Sequence, residues 1–80
     1  IDLPAGEAVN SVAYSPDGRS ISAGLWNGSM NVYTQDYRGN WDPDNYITLP
    51  LGSVGVSIAY SPDGRSIAAG LENGNVMVYI

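Results

Sequence analysis

The chain has 80 residues, and its eight acidic side chains stand against three arginines, with no lysine, histidine or cysteine, for a net charge of −5. Those counts exclude a Ser–His or Cys–His triad and a lysine nucleophile, and they offer no clustered cations for a phosphate backbone, so no nucleic-acid partner and no enzyme are expected. A chain this short buries only about 60–65% of its unfolded surface, and without disulfides or a histidine-based metal site the remaining way to staple it is oligomerisation.

In chain order, "IDL" (Ile1–Leu3) reads as a first short strand, followed by "VNSVAY" from Val9 to Tyr14. The turn "SPDG" comes next, where Pro16 presets φ and Gly18 is free to take a positive value. "SISAGL" (Ser20–Leu25) and "SMNVYT" (Ser29–Thr34) follow, joined by Asn27-Gly28, a dipeptide that favours a type I′ hairpin. The segment "QDYRGNWDPDNY" from Gln35 to Tyr46 carries loop signals, and the pattern then starts again with "ITL", "VSIAY", "SIAAGL" and "NVMVYI". Residues 1–34 align without a gap on residues 47–80, and 21 of those 34 pairs are identical. The chain is thus one unit, 1–80, made of two repeats and the connecting loop 35–46. No window shows apolar residues at helical spacing, and strands this short, rich in Val, Ile and Tyr, predict an all-β fold.

Alternation gives the strand faces. Val12 and Tyr14 alternate with Ser11 and Ala13, and Ile21, Ala23 and Leu25 alternate with Ser22 and Gly24. One face is bulky and the other small yet hardly charged, so both are expected to be buried. Four-stranded sheets covered on both sides at a period near 40 residues suit a radial stack of blades.

The runs "VNSVAYSPDGRSISAGLWNGSMNVYT" and "VSIAYSPDGRSIAAGLENGNVMVYI" resemble the WD repeat of β-propellers. The resemblance covers both repeats and implies a β-propeller of four-stranded antiparallel blades, two per chain, closed by oligomerisation. It also implies a family role as a protein-interaction scaffold. The family's hydrogen-bonded tetrad of His, Ser or Thr, Trp and Asp is not reproduced: there is no His, Tyr33 and Tyr79 stand for Trp, and Thr34 and Ile80 stand for Asp. In family phase Ile1–Leu3 is the outer strand of a preceding blade, and the blade from Val56 to Ile80 lacks its own. Head-to-tail pairing of Ile1 and Leu3 of one copy with Val76, Val78 and Ile80 of another would close a ring. A cyclic homotetramer of eight blades is the expected assembly, with a homotrimer of six as the alternative. The high identity of the repeats is also similar to computationally designed eight-bladed propellers, so the expectation is a self-assembling structural unit without catalytic activity, with a fragment of a natural WD-repeat interaction scaffold as the alternative.

Few residues suggest other chemistry. Asp42 and Asp44 could form a carboxylate pair or offer oxygens to Ca²⁺, but two acids around a proline suit a solvated turn, and a calcium loop's glycine and distal Glu are missing. No cofactor or metal is expected. Asp17 and Asp63 read as caps of their own turns. Trp26, whose counterpart is Glu72, breaks the repeat at a hairpin tip that faces the central channel in the family, and it is the candidate ligand contact. Trp41, Tyr37 and Tyr46 are expected to fold the long loop onto the blade, although a carbohydrate-binding propeller would use Trp41 and the loop acids. "IDLPAGEAVN" has neither the basic region nor the apolar run of a signal peptide, and no run is long enough to span a membrane. The chain therefore reads as soluble, and its compartment is left open.

Overall fold

A computed structural model describes every residue from Ile1 to Ile80. It contains seven strands: β1 (Val9–Tyr14), β2 (Ser20–Leu25), β3 (Ser29–Thr34), β4 (Tyr46–Pro50), β5 (Gly55–Tyr60), β6 (Ile67–Leu71) and β7 (Val76–Tyr79). There is no helix, and none therefore that could cross a membrane. Strands β1–β4 form one antiparallel sheet in sequential order, and β5–β7 form a second of three strands. Two up-and-down meanders are what four tight turns, two in each repeat, dictate, because short connections leave each strand only its neighbour to pair with.

The "SPDG" turns are built alike. In the first, the Gly18 N–H donates to the Ser15 carbonyl at 3.0 Å, and Gly18 takes a φ of 73°. The Asp17 carboxylate accepts from the Ser15 hydroxyl at 2.6 Å and from the Arg19 N–H at 2.9 Å, while the Ser20 N–H donates back to the Ser15 hydroxyl at 3.0 Å. Asp63, Ser61, Arg65 and Ser66 repeat the arrangement. Both aspartates are turn caps, as expected from the sequence.

Two local expectations are corrected. Ile1–Leu3 is not a strand in this structure, because a strand without a hydrogen-bonding neighbour gains no ladder and nothing in the chain pairs with it. The Asn-Gly hairpins are not type I′, which needs positive φ at both central residues. Only glycine takes positive φ here, Gly28 at 85° and Gly74 at 92°. The Gly28 N–H instead closes a turn on the Leu25 carbonyl at 3.2 Å, and Asn27 uses its side-chain oxygen to accept from the Ser29 N–H and hydroxyl. That local bonding replaces the left-handed conformation that asparagine would otherwise adopt at some cost.

The two sheets pack face to face in a body only 15 Å deep in its thinnest dimension. Face-packed sheets lie about 10 Å apart, so a two-layer unit has a single buried seam. Met30, Leu51, Ala69 and Leu71 form its centre, with Val32, Leu49, Ile58 and Ile67 packed around them.

The turns generate a pH dependence. The Ser15 hydroxyl first, and the Arg19 N–H next, hold the Asp17 carboxyl below its ordinary value of 3.8, and Ser61 and Arg65 do the same for Asp63. A depressed folded-state value contributes stability that is present above the unfolded value and lost as pH falls through the folded one. The gap in thermal midpoint between the parent and the Asp17→Asn/Asp63→Asn variant should therefore be widest near neutral pH. Circular-dichroism melts should show it shrinking as pH drops below about 4.

Candidate interaction surface

The seam between the blades is the best-built surface in the chain. Because strand partners point to the same side, Met30 and Val32 of β3 and Leu49 of β4 face the second sheet beside a strip of small residues, Ser11, Ser22 and Gly24. The strip lets the backbones approach. A Cβ on Gly24 would lie 2.9 Å from the Ser11 hydroxyl oxygen and 3.1 Å from Ile58 Cδ1, so the Ile58 methyl occupies the place a side chain would fill. Leu51, in the link from β4 to β5, is wedged beside it with 1% of its surface exposed, and its N–H donates to the Gly28 carbonyl at 2.9 Å. Burying side chains such as Met30 and Leu51 contributes about 1.5–3 kcal/mol each.

Polar contacts lock the seam at separate points. The Ser22 and Tyr60 hydroxyls share a hydrogen bond of 2.5 Å. Burial pushes the Tyr60 phenol above its usual value, and the bond to Ser22 opposes that rise. Asn10 Nδ2 donates to the Gly55 carbonyl at 2.6 Å. Asn10 sits where the β1–β2 register slips between Val9 and Ser11, and such a bulge re-aims the side chain it carries. The Tyr79 hydroxyl donates to the Pro50 carbonyl.

Each sheet keeps part of one face free, although Ala23, Leu25 and Tyr33 on the outer face of the first are buried. On the outer face of the first, Val12 is 59% and Tyr14 65% exposed, above a hollow of about 110 Å³ lined in part by Leu3, Ala5, Ala23 and Tyr33. Beneath it a polar row runs from Thr48, whose hydroxyl donates to Asn31 Oδ1 at 2.7 Å, to Asn31 Nδ2, which donates to the Tyr33 hydroxyl at 3.2 Å. On the outer face of the second sheet, Val76 is 70% and Val78 54% exposed beside Ala68 and Gly70. The β7 backbone pairs with β6 alone.

The expected joint residues are therefore not brought together within one chain. Ile1 is exposed and Leu3 half-buried, and both border a hollow of about 230 Å³ with Tyr14, Ile21 and Trp41 at the first blade. Val76 and Val78 share the far face of the second blade. Ile80 lies past the end of β7, fully exposed, and borders a gap of about 240 Å³ between the blades with Ile47 and Tyr79.

Trp26 is half-exposed at its hairpin tip, where its N–H donates to the Ala8 carbonyl. Trp41 folds the long loop back as expected, packing on Tyr14 with ring centroids 6.5 Å apart, whereas Tyr46 is the first residue of β4 and meets Tyr33 across the ladder at 5.2 Å. Tyr37 does not fold back, and remains exposed under the Arg38 guanidinium, 5.4 Å from its ring centre. Asp42 caps its turn by accepting from the Asp44 N–H at 2.9 Å. The wedge at Leu51 and the polar row Thr48–Asn31–Tyr33 were not read from the sequence. Leu51 stands in a turn-rich link, and the row joins residues from two strands connected by an 11-residue loop.

Two meander sheets stacked on a strip of small residues are blades of a β-propeller. The family profile for the WD domain, G-beta repeat, matches residues 3–34 and 48–79, and the chain belongs to the WD40 family. No curated relative matches it. Among solved structures it is similar to "Crystal structure of RRP9 WD40 repeats" at 16% identity and a TM-score of 0.75, covering 95% of this chain and 23% of that one. It is equally similar to "Structure of U3-55K", at 16% identity and a TM-score of 0.74, with 95% and 24% covered. The chain thus spans about a quarter of the length of either. WD40 propellers are generally non-catalytic scaffolds.

The seam makes Gly24 and Gly70 unequal despite their equivalent places in the repeat. Gly24→Ala drives a methyl against Ile58 as well as Ser11, whereas at Gly70 a Cβ would meet only the Ser57 hydroxyl, at 3.0 Å. Urea denaturation at low protein concentration should show Gly24→Ala losing about 1–3 kcal/mol, as overpacked cores do, and Gly70→Ala losing less.

Proposed function

We propose that the chain is a non-catalytic WD40 scaffold unit that assembles with copies of itself, blade face to blade face, into a closed propeller. The observation that carries this reading is that the free faces are those of the seam, moved along by one repeat of 46 residues. Val76 and Val78 correspond to Met30 and Val32, and Val12 and Tyr14 correspond to Ile58 and Tyr60. A surface that already packs on one face in the chain is presented again, with Val12, Tyr14, Val76 and Val78 exposed, opposite a second copy of its counterpart. Contacts of this heterologous kind close into rings when the rotation allows. Exposed apolar faces of this extent and an unpaired β7 edge are otherwise aggregation sites.

Two blades per chain make even totals only, and we favour the cyclic tetramer of eight blades over the trimer of six. A designed origin is not needed for this reading, because the repeats differ where blades meet, at Asn10 and Val56 and at Ser22 and Ala68. Trp26, present in one repeat only, would then recur once per chain around the ring and supports a role in holding a partner protein. Native mass spectrometry at micromolar concentration should give the mass of four chains, or of three. A single-chain mass across that range, with the fold retained, would overturn self-assembly.

A further inference from the structure

Shifting each seam contact by 46 residues gives the contact that a second copy would make. Resting on the self-assembly reading, we propose that copies join through the chain's own interblade joint with its polar lock removed, Tyr14 of one copy lying over Ala68 of the next. Within the chain, the hydroxyl of Tyr60 is held by Ser22 at 2.5 Å. At the shifted position Tyr14 carries the same phenol, and Ala68 has no oxygen to meet it.

The second lock changes in the same direction. Asn10, which reaches the Gly55 carbonyl at 2.6 Å, becomes Val56, and Gly55 becomes Val9. Val56 sits at the same slip of register as Asn10, between Gly55 and Ser57, so the bulge aims it outward in the same way. It is 53% exposed, and Val9 is 47% exposed. A polar bond inside the chain is thus replaced by a valine on each of the two free faces, which fits an apolar partner and leaves no amide to satisfy. The filler changes too. Ile58 against Gly24 becomes Val12 against Gly70, and the Leu51 wedge becomes Ala5.

At the shifted positions the two side-chain locks of β1 and β2 are gone, the Tyr79–Pro50 pair recurs as Tyr33 and Pro4, and the packing residues that change, the two valines apart, are smaller than their originals. On the self-assembly reading, a second copy on the free face beside β7 is held more weakly than the chain's own two blades hold each other. At the β7 edge the same shift places Leu3 opposite Val76 and Ile1 opposite Val78, as Leu49 lies opposite Met30 and Ile47 opposite Val32. The joint is one that opens into folded two-blade chains before any blade separates within a chain.

The missing hydroxyl supplies the test. Sedimentation equilibrium of the full chain measures association for the parent, Ala68→Ser, Tyr14→Phe and the double variant. Restoring the acceptor at position 68 should tighten each joint about 2- to 10-fold, the range of one net hydrogen bond. Tyr14→Phe alone should leave association unchanged, and in the Ala68→Ser background it should abolish the gain. If the parent assembles but Ala68→Ser gives no gain, or a gain that survives Tyr14→Phe, the register is wrong and self-assembly by another contact remains. If the parent and Ala68→Ser both sediment as single folded chains, self-assembly itself fails and this joint with it.

Discussion

A four-stranded meander has two faces and no interior, so a blade of this family is stable only when something lies on each side of it. That constraint governs the composition of both repeats. The side chains on one face must be large enough to fill the gap to the neighbouring sheet, and those on the other must be small enough to let that neighbour approach. Ser11, Ser22 and Gly24 meet the second requirement and Ile58 and Leu71 the first. The close contact between the Ile58 methyl and the site of a Gly24 side chain is where the two requirements meet. A cost accompanies it: the Ser11 hydroxyl is buried with no hydrogen-bond partner, the kind of group that destabilises by about 1–3 kcal/mol.

The same constraint explains why so much of the fold was legible in the sequence. Alternation of bulky and small residues along β1 and β2 identifies sheets with two apolar faces, only one of which is covered by the other blade of this chain, and the 46-residue offset fixes which strands correspond. The phase of the blades, with β4 completing the first and β7 ending the second, follows from the family resemblance and agrees with the pairing observed. What was not legible depends on choices between local states of similar energy. Asn27 can take a left-handed conformation or bond to Ser29, and nothing in the dipeptide decides between them. Ile1–Leu3 has strand composition, yet a strand exists only where a ladder partner is present. Leu51 was passed over because its surroundings, "PLGSVG", read as a link, although its burial depends on a neighbouring blade rather than on its own segment.

The candidate surface was legible only in part. Val76, Val78, Ile1 and Leu3 were assigned to a joint from phase alone, and Val12 and Tyr14 were seen as a bulky face without being assigned to one. Ile80 was placed with Val76 and Val78 by alternation, but it lies beyond the last residue of β7, where the alternation of a strand no longer applies. Side chains that cross between blades, such as Asn10 and Tyr60, are invisible to any reading that treats each strand with its immediate partners. They become readable once the seam is known, because the repeat then converts one observed interface into the expected form of another.

That conversion also gives meaning to the differences between the repeats. Had the two copies diverged at random, substitutions would fall on hairpin tips and loops as readily as on the faces. Tips do differ, as at Trp26 and Glu72, but both hydrogen bonds that cross the seam through side chains of β1 and β2 are lost at the shifted positions. A buried hydroxyl or amide is favourable only where its partner is held in place. Two blades tethered by a four-residue link from Leu51 to Val54 meet that condition permanently. Two separate chains meet it only after paying the entropy of association, and any copy that is not docked would leave the group solvated at no loss. Polar locks therefore suit the tethered joint, and shape-filling apolar contacts, insensitive to small errors of register, suit one that must form by encounter.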